Sequence, residues 1–228
     1  MIDQKRILAI IPARAGSKRV KDKNLKDLAG KPLIAWTIEA AKASKYIDHI
    51  YVSTDSLEIQ KISQDLDVDA DPLRSDELAT DISTSTDVIL DVVTNLKTDF
   101  DIIVLLQPTS PLRVVGDIDQ AIELYVAKQA KSVVSVCEAE CHPSWVGAIS
   151  DDLKMDELVS GLKAKRSQDL ETFYRLNGAI YIMGAQDFKI DKTFYLKVGT
   201  YSYIMPRSHS IDIDTEQDFR LAQLMKLS

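Results

Sequence analysis

Short apolar runs alternate with amphipathic helical patterns along most of this chain, and that alternation is what most narrows the folds open to it. Ile7-Leu8-Ala9-Ile10-Ile11 and Ile102 to Leu106 are apolar throughout, as strands buried on both faces are. His49 to Ser53 is rich in β-formers, Ser132 to Val136 is a further run, and Ala179 to Met183 and Tyr201 to Met205 follow towards the end. A short strand is also expected at Val68 to Ala70. Helical spacing falls between these runs. Pro32 to Ser44 carries Ile34, Ile38 and Ala41 on one face, and Ile59, Ile62 and Leu66 mark a second helix. Val88, Ile89, Val92, Val93 and Leu96 mark a third, capped by the Ser/Thr cluster at 83 to 86. Ile118, Ala121, Ile122, Tyr125 and Val126 mark a fourth, and a last helix runs through Leu227. This βαβα order predicts an α/β fold: three layers, with helices on both faces of a mostly parallel sheet and right-handed crossovers.

The alternation stops at Glu138. Residues 139 to 174 have no clean period, contain Trp145, and read as an inserted arm or lid on a single domain spanning 1 to 228. At 228 residues and 45% hydrophobic content the chain can bury one substantial core. No apolar run approaches the roughly twenty residues of a membrane span, so no membrane partner and a cytoplasmic location are expected. The net charge of -7 argues against broad nucleic-acid binding. Cys137, Cys141 and His142 fall short of a structural zinc set, and Cys137 reads as a small core residue.

The charge is unevenly spread. Residues 14 to 31 carry +5, leaving -12 on the remainder. This basic segment begins in the loop Pro-Ala-Arg-Ala-Gly-Ser-Lys-Arg, residues 12 to 19, at the carboxyl end of the first strand. Gly16 permits a tight turn, and Ser17 and the loop amides can donate hydrogen bonds. A nest of donors in that position suits a small polyanion. Neither the dinucleotide fingerprint nor a Walker loop is present.

Two more polar clusters fall at strand ends. In Ile211-Asp212-Ile213-Asp214, alternation along a strand sends both carboxylates to one face, where a hard cation such as Mg²⁺ would relieve their repulsion. Asp214 is also placed to cap the last helix. In Gln107-Pro-Thr-Ser-Pro-Leu-Arg113, the prolines hold the loop extended and leave Gln107, Thr109, Ser110 and Arg113 available to a polyhydroxylated, anionic substrate. Arg74 either meets a ligand or pairs with Asp76 or Glu77.

Taken in order, these motifs resemble the acylneuraminate cytidylyltransferases, which activate nine-carbon sugar acids with CTP. Ile-Pro-Ala-Arg-Ala-Gly-Ser-Lys-Arg with Lys23-Asn24 looks like the family's nucleotide loop, and the run 107 to 113 is similar to its central substrate motif. Arg-Ser-Asp-Glu-Leu-Ala-Thr-Asp at 74 to 81, Asn-Gly-Ala-Ile-Tyr at 177 to 181 and Ile-Asp-Ile-Asp-Thr at 211 to 215 complete the match. The resemblance implies a Rossmann-like sheet of the nucleotide-diphospho-sugar transferase type, with 139 to 174 as a dimerisation arm.

By the same resemblance Arg14, Ser17, Lys18, Lys23 and Asn24 would hold the CTP phosphates and ribose, and Arg74 with Ser85, or Thr84 in its place, would contact cytosine. Gln107, Thr109, Ser110, Arg166 and Tyr181 would face the sugar acid. Asp212 and Asp214 would hold Mg²⁺, and a partner subunit of a homodimer would help close the site. Arg14, Lys23, Gln107, Asp212 and Asp214 form the expected catalytic set. Alternatives are an enzyme for the eight-carbon acid KDO or another sugar nucleotide, and a non-catalytic nucleotide-binding regulator. Pyrophosphate release separates the last from the others.

Overall fold

The computed structural model describes residues 2–79, 83–96, 98–161 and 170–227. β1 (Ile7–Pro12) and β5 (Ile102–Leu106) are the most apolar strands and lie side by side at the centre, parallel, with Ile7 opposite Ile102. β4 (His49–Ser53) flanks β1, also parallel. On the other side of β5 come β7 (Tyr174–Gly184), β6 (Ser132–Glu138) and β8 (Thr200–Ile204), in that spatial order. β7 runs antiparallel to both neighbours, and β8 is parallel to β6. A two-stranded hairpin, β2 (Asp27–Leu28) with β3 (Lys31–Pro32), stands apart.

Successive side chains of the central strands point to opposite faces, so each face has its own core. Ile7, Ala9, Val104 and Leu106 pack with Ile34 and Ile38 of α1 (Leu33–Lys42), Ile59 of α2 (Leu57–Asp65), and Ile118 and Ile122 of α4 (Val115–Ala127). Leu8, Ile10, Ile103 and Leu105 pack with Ile89 and Val92 of α3 (Ser85–Asn95) and Phe188 of α6 (Ala185–Asp191). A third cluster joins Val20, Leu28 and Leu33 to Ile213 and to Phe219 of α7 (Glu216–Leu227). That cluster pins the basic segment beneath the carboxylate motif.

Several elements differ from expectation. Val68 to Ala70 forms only one bridge, Asp69 to Tyr51, with Val52 N–H donating to Asp69 C=O at 2.8 Å. β7 is longer than its apolar run, since its first half pairs with β6 beyond a register break between Val134 and Val136. It pairs antiparallel with both neighbours, Leu106 opposite Ile180 and Val134 opposite Tyr181. Residues 211 to 214 form no strand; a backbone bond from Ile213 N–H to Thr109 C=O, 2.9 Å, the Lys23 ammonium on Ile213 C=O and Asp214 N–H on Asp218 Oδ2 at 3.1 Å hold them extended. The 107–113 segment folds into two tight turns, closed by Ser110 N–H to Gln107 C=O and Arg113 N–H to Ser110 C=O, both 3.3 Å.

The segment following Glu138 contains a 3-10 turn at Pro143–Trp145 and the short α5 (Asp156–Ser160). Ala139 N–H to Phe173 C=O, 2.9 Å, and an ion pair of Arg175 with Glu140 close its base. Trp145, Val146, Ile149, Leu153, Met155 and Val159 leave much of their surface exposed along it.

Candidate active site

β1, β4 and β5 are parallel, so the loops leaving them gather at one end of the sheet, the edge at which open α/β sheets bind ligands. A cavity of about 390 Å³ lies there. Arg14, Ser17, Lys23 and Asn24 line it from the first loop, Arg74 and Ser85 from the far side, Gln107 and Thr109 from the end of β5, and Asp212 and Asp214 from the segment before α7. Ten of the residues singled out by sequence thus converge on one space. Lys18 is exposed and does not line it, nor do Ser110 and Tyr181. Arg166 lies outside the described residues.

The first loop is held from within. Gly16 takes φ +64°, the left-handed region open to glycine. The Ser17 hydroxyl donates to Val20 C=O at 2.7 Å and accepts from Lys23 N–H at 2.8 Å, so it staples the loop where a phosphate contact was expected. Asn24 Nδ2 donates to Arg14 C=O at 3.1 Å, holding the backbone of the arginine above the cavity. Lys23 donates to Ile213 C=O and stands 3.9 Å from Asp214 Oδ1. Burial pushes its ammonium below the ordinary lysine range, with Asp214 pulling the other way.

On the far wall, Arg74 is buried and bonded to the end of β4, through Nε to Ser53 Oγ at 3.1 Å and Nη2 to Ser53 C=O. Thr84 caps α3: its Oγ1 accepts from Asp87 N–H at 3.2 Å, and Asp87 reaches back to Thr84 N–H at 2.9 Å. The cap occupies Thr84, whereas Ser85, one residue on, has a hydroxyl without a partner among the described residues. Of these two hydroxyls, that of Ser85 is the one the cap leaves uncommitted.

The floor is built by Gln107, Gly178 and Asp212. Gly178 has φ +74°, and a Cβ on it would stand 2.9 Å from Gln107 Oε1 and 3.4 Å from Asp212 Oδ2. No side chain intervenes between these two polar groups. Arg113, expected to face substrate, is instead fully buried beneath them. Its guanidinium donates to Ala179 C=O at 2.8 Å, Gln107 C=O at 3.2 Å and Thr37 Oγ1 at 2.8 Å, and burial lowers its pKa to about 10. It ties the turn after β5 to the middle of β7, a role its place in a loop motif did not reveal. Ser110 is fully buried beside it. Tyr181 falls on the α6 side of β7, its ring 5.5 Å from Phe194 and 6.1 Å from Tyr195, and burial raises its phenol pKa.

The expected alternation survives at 211 to 214 without a ladder. Ile213 is fully buried, Ile211 packs against the same cluster, and both carboxylates open on the cavity. Burial, and secondarily Asp214, raise the Asp212 carboxyl pKa, while a hydrogen bond from Thr109 works against that rise. Asp214 does not cap α7. Thr215 does, its Oγ1 accepting from Asp218 N–H at 3.2 Å while Asp218 Oδ2 accepts from Thr215 N–H at 2.8 Å. Asp214 is left to face Arg19 at 3.3 Å and the cavity. A crowded pair of carboxylates in which the buried member disfavours its own charge, opening on a cationic wall, fits a hard divalent cation shared with a polyphosphate. Among the described residues no group of three or more His, Cys, Asp or Glu forms a metal cluster, which leaves the other positions of an octahedral ion to water and substrate oxygens.

Comparison with known proteins agrees with this geometry. Residues 8–222 match the cytidylyltransferase family. The chain is 41% identical to the CMP-N,N'-diacetyllegionaminic acid synthase of Legionella pneumophila, over 98% of its own length and 97% of that protein's. It is 31% identical to the pseudaminic acid cytidylyltransferase of Campylobacter jejuni, over 96% and 95%. It is also 40% identical to an N-acylneuraminate cytidylyltransferase of Streptococcus agalactiae, over 93% of this chain but only 51% of that longer protein. In fold it is similar to a CTP-bound CMP:2-keto-3-deoxy-manno-octonic acid synthetase, with TM-score 0.73 at 16% identity over 97% and 98% of the two chains. The chain belongs to the cytidylyltransferase family and is a nucleotidyltransferase of the acylneuraminate cytidylyltransferase type.

Proposed function

We propose that this enzyme joins CMP, taken from CTP, to a nine-carbon 2-keto sugar acid and releases pyrophosphate. The observation that carries the reading is the meeting of Arg14 and Lys23, Gln107 and Thr109, and the Asp212–Asp214 pair on one cavity. The names of relatives that share most of this chain's length support the substrate class. Arg14 and Lys23 bind the triphosphate, and Arg74 and Ser85 stand where they can read cytosine. Gln107 and Thr109 present an amide and a hydroxyl to the sugar and orient its anomeric hydroxyl towards the α-phosphorus. Asp212 and Asp214 would hold Mg²⁺, which when bound neutralises charge on the phosphates. Fixed positive charge around the cavity stabilises the charge that builds up as pyrophosphate leaves.

Pyrophosphate release from CTP and Mg²⁺ tests this, with N-acetylneuraminic, legionaminic, pseudaminic and KDO acids supplied separately. Release is expected with at least one nine-carbon acid. Release with KDO alone, or with none, would overturn the reading. Lys23→Ala is expected to weaken CTP binding about tenfold or more and CMP binding far less, because a charge-assisted contact contributes about 1.5–3 kcal/mol. Calorimetry with each nucleotide reads the difference, and an equal loss for both would remove Lys23 from the distal phosphates.

We further propose that the 139–174 segment pairs two copies of the chain, so that a partner subunit helps close the sugar site. The run of exposed apolar residues from Trp145 to Val159 supports this, since a surface of that kind is ordinarily covered. Sedimentation at micromolar concentration is expected to give twice the 25.5 kDa chain mass. Trp145→Glu with Val146→Glu should return the monomer; a monomer before mutation would make the segment a lid.

A further inference from the structure

Three buried polar side chains are joined behind the strand ends that carry the site. Ser135, Asn177 and Ser210 are each at most 1% exposed, and together they tie β6, β7 and the segment leading to Asp212. Ser135 stands at the register break of β6 against β7. Its hydroxyl accepts from Ile180 N–H at 2.8 Å, replacing the ladder bond lost there, and donates to Asn177 Oδ1 at 2.6 Å. Asn177 Nδ2 donates onward to Ser210 Oγ at 2.9 Å and to Met205 Sδ at 3.2 Å, and Ser210 Oγ donates to Pro206 C=O at 2.8 Å.

Every link has one sense. Reversing the Asn177 amide would turn its oxygen towards Ser210, whose hydroxyl would have to abandon Pro206 to donate to it. The relay ends two residues before Asp212, and Asn177 immediately precedes Gly178, against which Asp212 Oδ2 and Gln107 Oε1 lie. The bond from Ile213 N–H to Thr109 C=O fixes the far side. The peptide carrying Asp212 is therefore pinned from both ends. A fold that needed only filled volume here could use apolar residues at lower risk, since a buried polar network is costly when incomplete but defines geometry when complete.

We propose that Asn177 and Ser210 are positioning residues that hold the Asp212 carboxylate at the place where it shares a divalent cation with the nucleotide phosphates. This rests on the reading of Asp212 as a metal ligand. Groups that orient a ligand from behind typically cost about ten- to a hundredfold in metal affinity when removed.

Ser210→Ala and Ser135→Ala, near and far links of the relay, test it. Mn²⁺ affinity is measured from the free-ion EPR signal with a CTP analogue bearing a methylene between the α and β phosphorus atoms, which cannot turn over. Analogue affinity in chelator and metal-free melting accompany it. Ser210→Ala should lower Mn²⁺ affinity about tenfold, raise the Mg²⁺ needed for half-maximal turnover to match, and leave metal-free analogue binding within about twofold. Ser135→Ala should lower melting comparably and metal affinity less. If Ser210→Ala leaves Mn²⁺ affinity unchanged, or if both variants lose it in proportion to melting, the relay is structural only. Asp212→Asn is the control. Loss of Mn²⁺ affinity there but not in Ser210→Ala overturns the positioning role alone, and no loss in either overturns the metal reading as well.

Discussion

Asp212→Asn should cut turnover by orders of magnitude at saturating CTP and raise the Mg²⁺ requirement, while metal-free melting stays unchanged or rises slightly. The substitution preserves shape, and the asparagine oxygen can still accept the hydrogen bond that Thr109 gives the aspartate. What disappears is one of two carboxylates opening on the cavity. The expected sign of the stability change follows from the direction of the pKa. The folded-state value is raised, mainly by burial and then by Asp214, so the ionised form present at neutral pH is disfavoured by folding. Removing that charge removes a cost to the apo fold. Asp214→Asn should also lose activity without destabilising α7, because Thr215 and Asp218 supply the cap. A magnesium titration of pyrophosphate release beside metal-free melting checks both variants. Normal turnover of Asp212→Asn at low Mg²⁺, or a loss that merely follows unfolding, would reject the assignment.

Gly178→Ala is expected to reduce kcat about a hundredfold, on the scale of a misplacement of reacting groups by an ångström. Alanine at φ +74° is strained by about 1–2 kcal/mol, and its methyl carbon would be 2.9 Å from Gln107 Oε1. Gln107 has to move, whereas Asp212 Oδ2, 3.4 Å away, is at ordinary contact distance. Melting should fall by about 2–8 °C, since 1 kcal/mol shifts a chain of this size by about 2–4 °C. Gly30→Ala is the matched control: its φ is +96°, but its Cβ would meet nothing within 4 Å. It should lose comparable stability and retain activity. Equal loss of kcat in both variants would show that strain, not the crowding of Gln107, is responsible.

The central strands and the long helices were legible because their pattern is local. Ile102 to Leu106 is uniformly apolar, and the structure makes it β5 with the same bounds. The antiparallel course of β7 was not, because strand direction depends on how the chain travels between strands, and the segment before it has no period to read. The carboxylate motif shows the division most clearly. Alternation placed both isoleucines inside and both aspartates outside, and the structure keeps that arrangement although it forms no strand there, because burial of Ile213 needs only an extended chain with one face covered.

Residue type within the site was also readable, but availability was not. Ser17, Thr84 and Arg113 have the chemistry expected of ligand contacts, yet tertiary structure commits the first to its own loop, the second to a helix cap and the third to the carbonyls beneath the floor. Ser135 and Asn177 are 42 residues apart and Asn177 and Ser210 are 33, so they share no local pattern. Hydrophobic period and charge density are written in neighbouring residues, so the sequence alone determined the layers, the basic segment and the chemical classes gathered at the strand ends. Which polar groups remain free for a ligand depends on partners distant along the chain, and only the folded structure decided that.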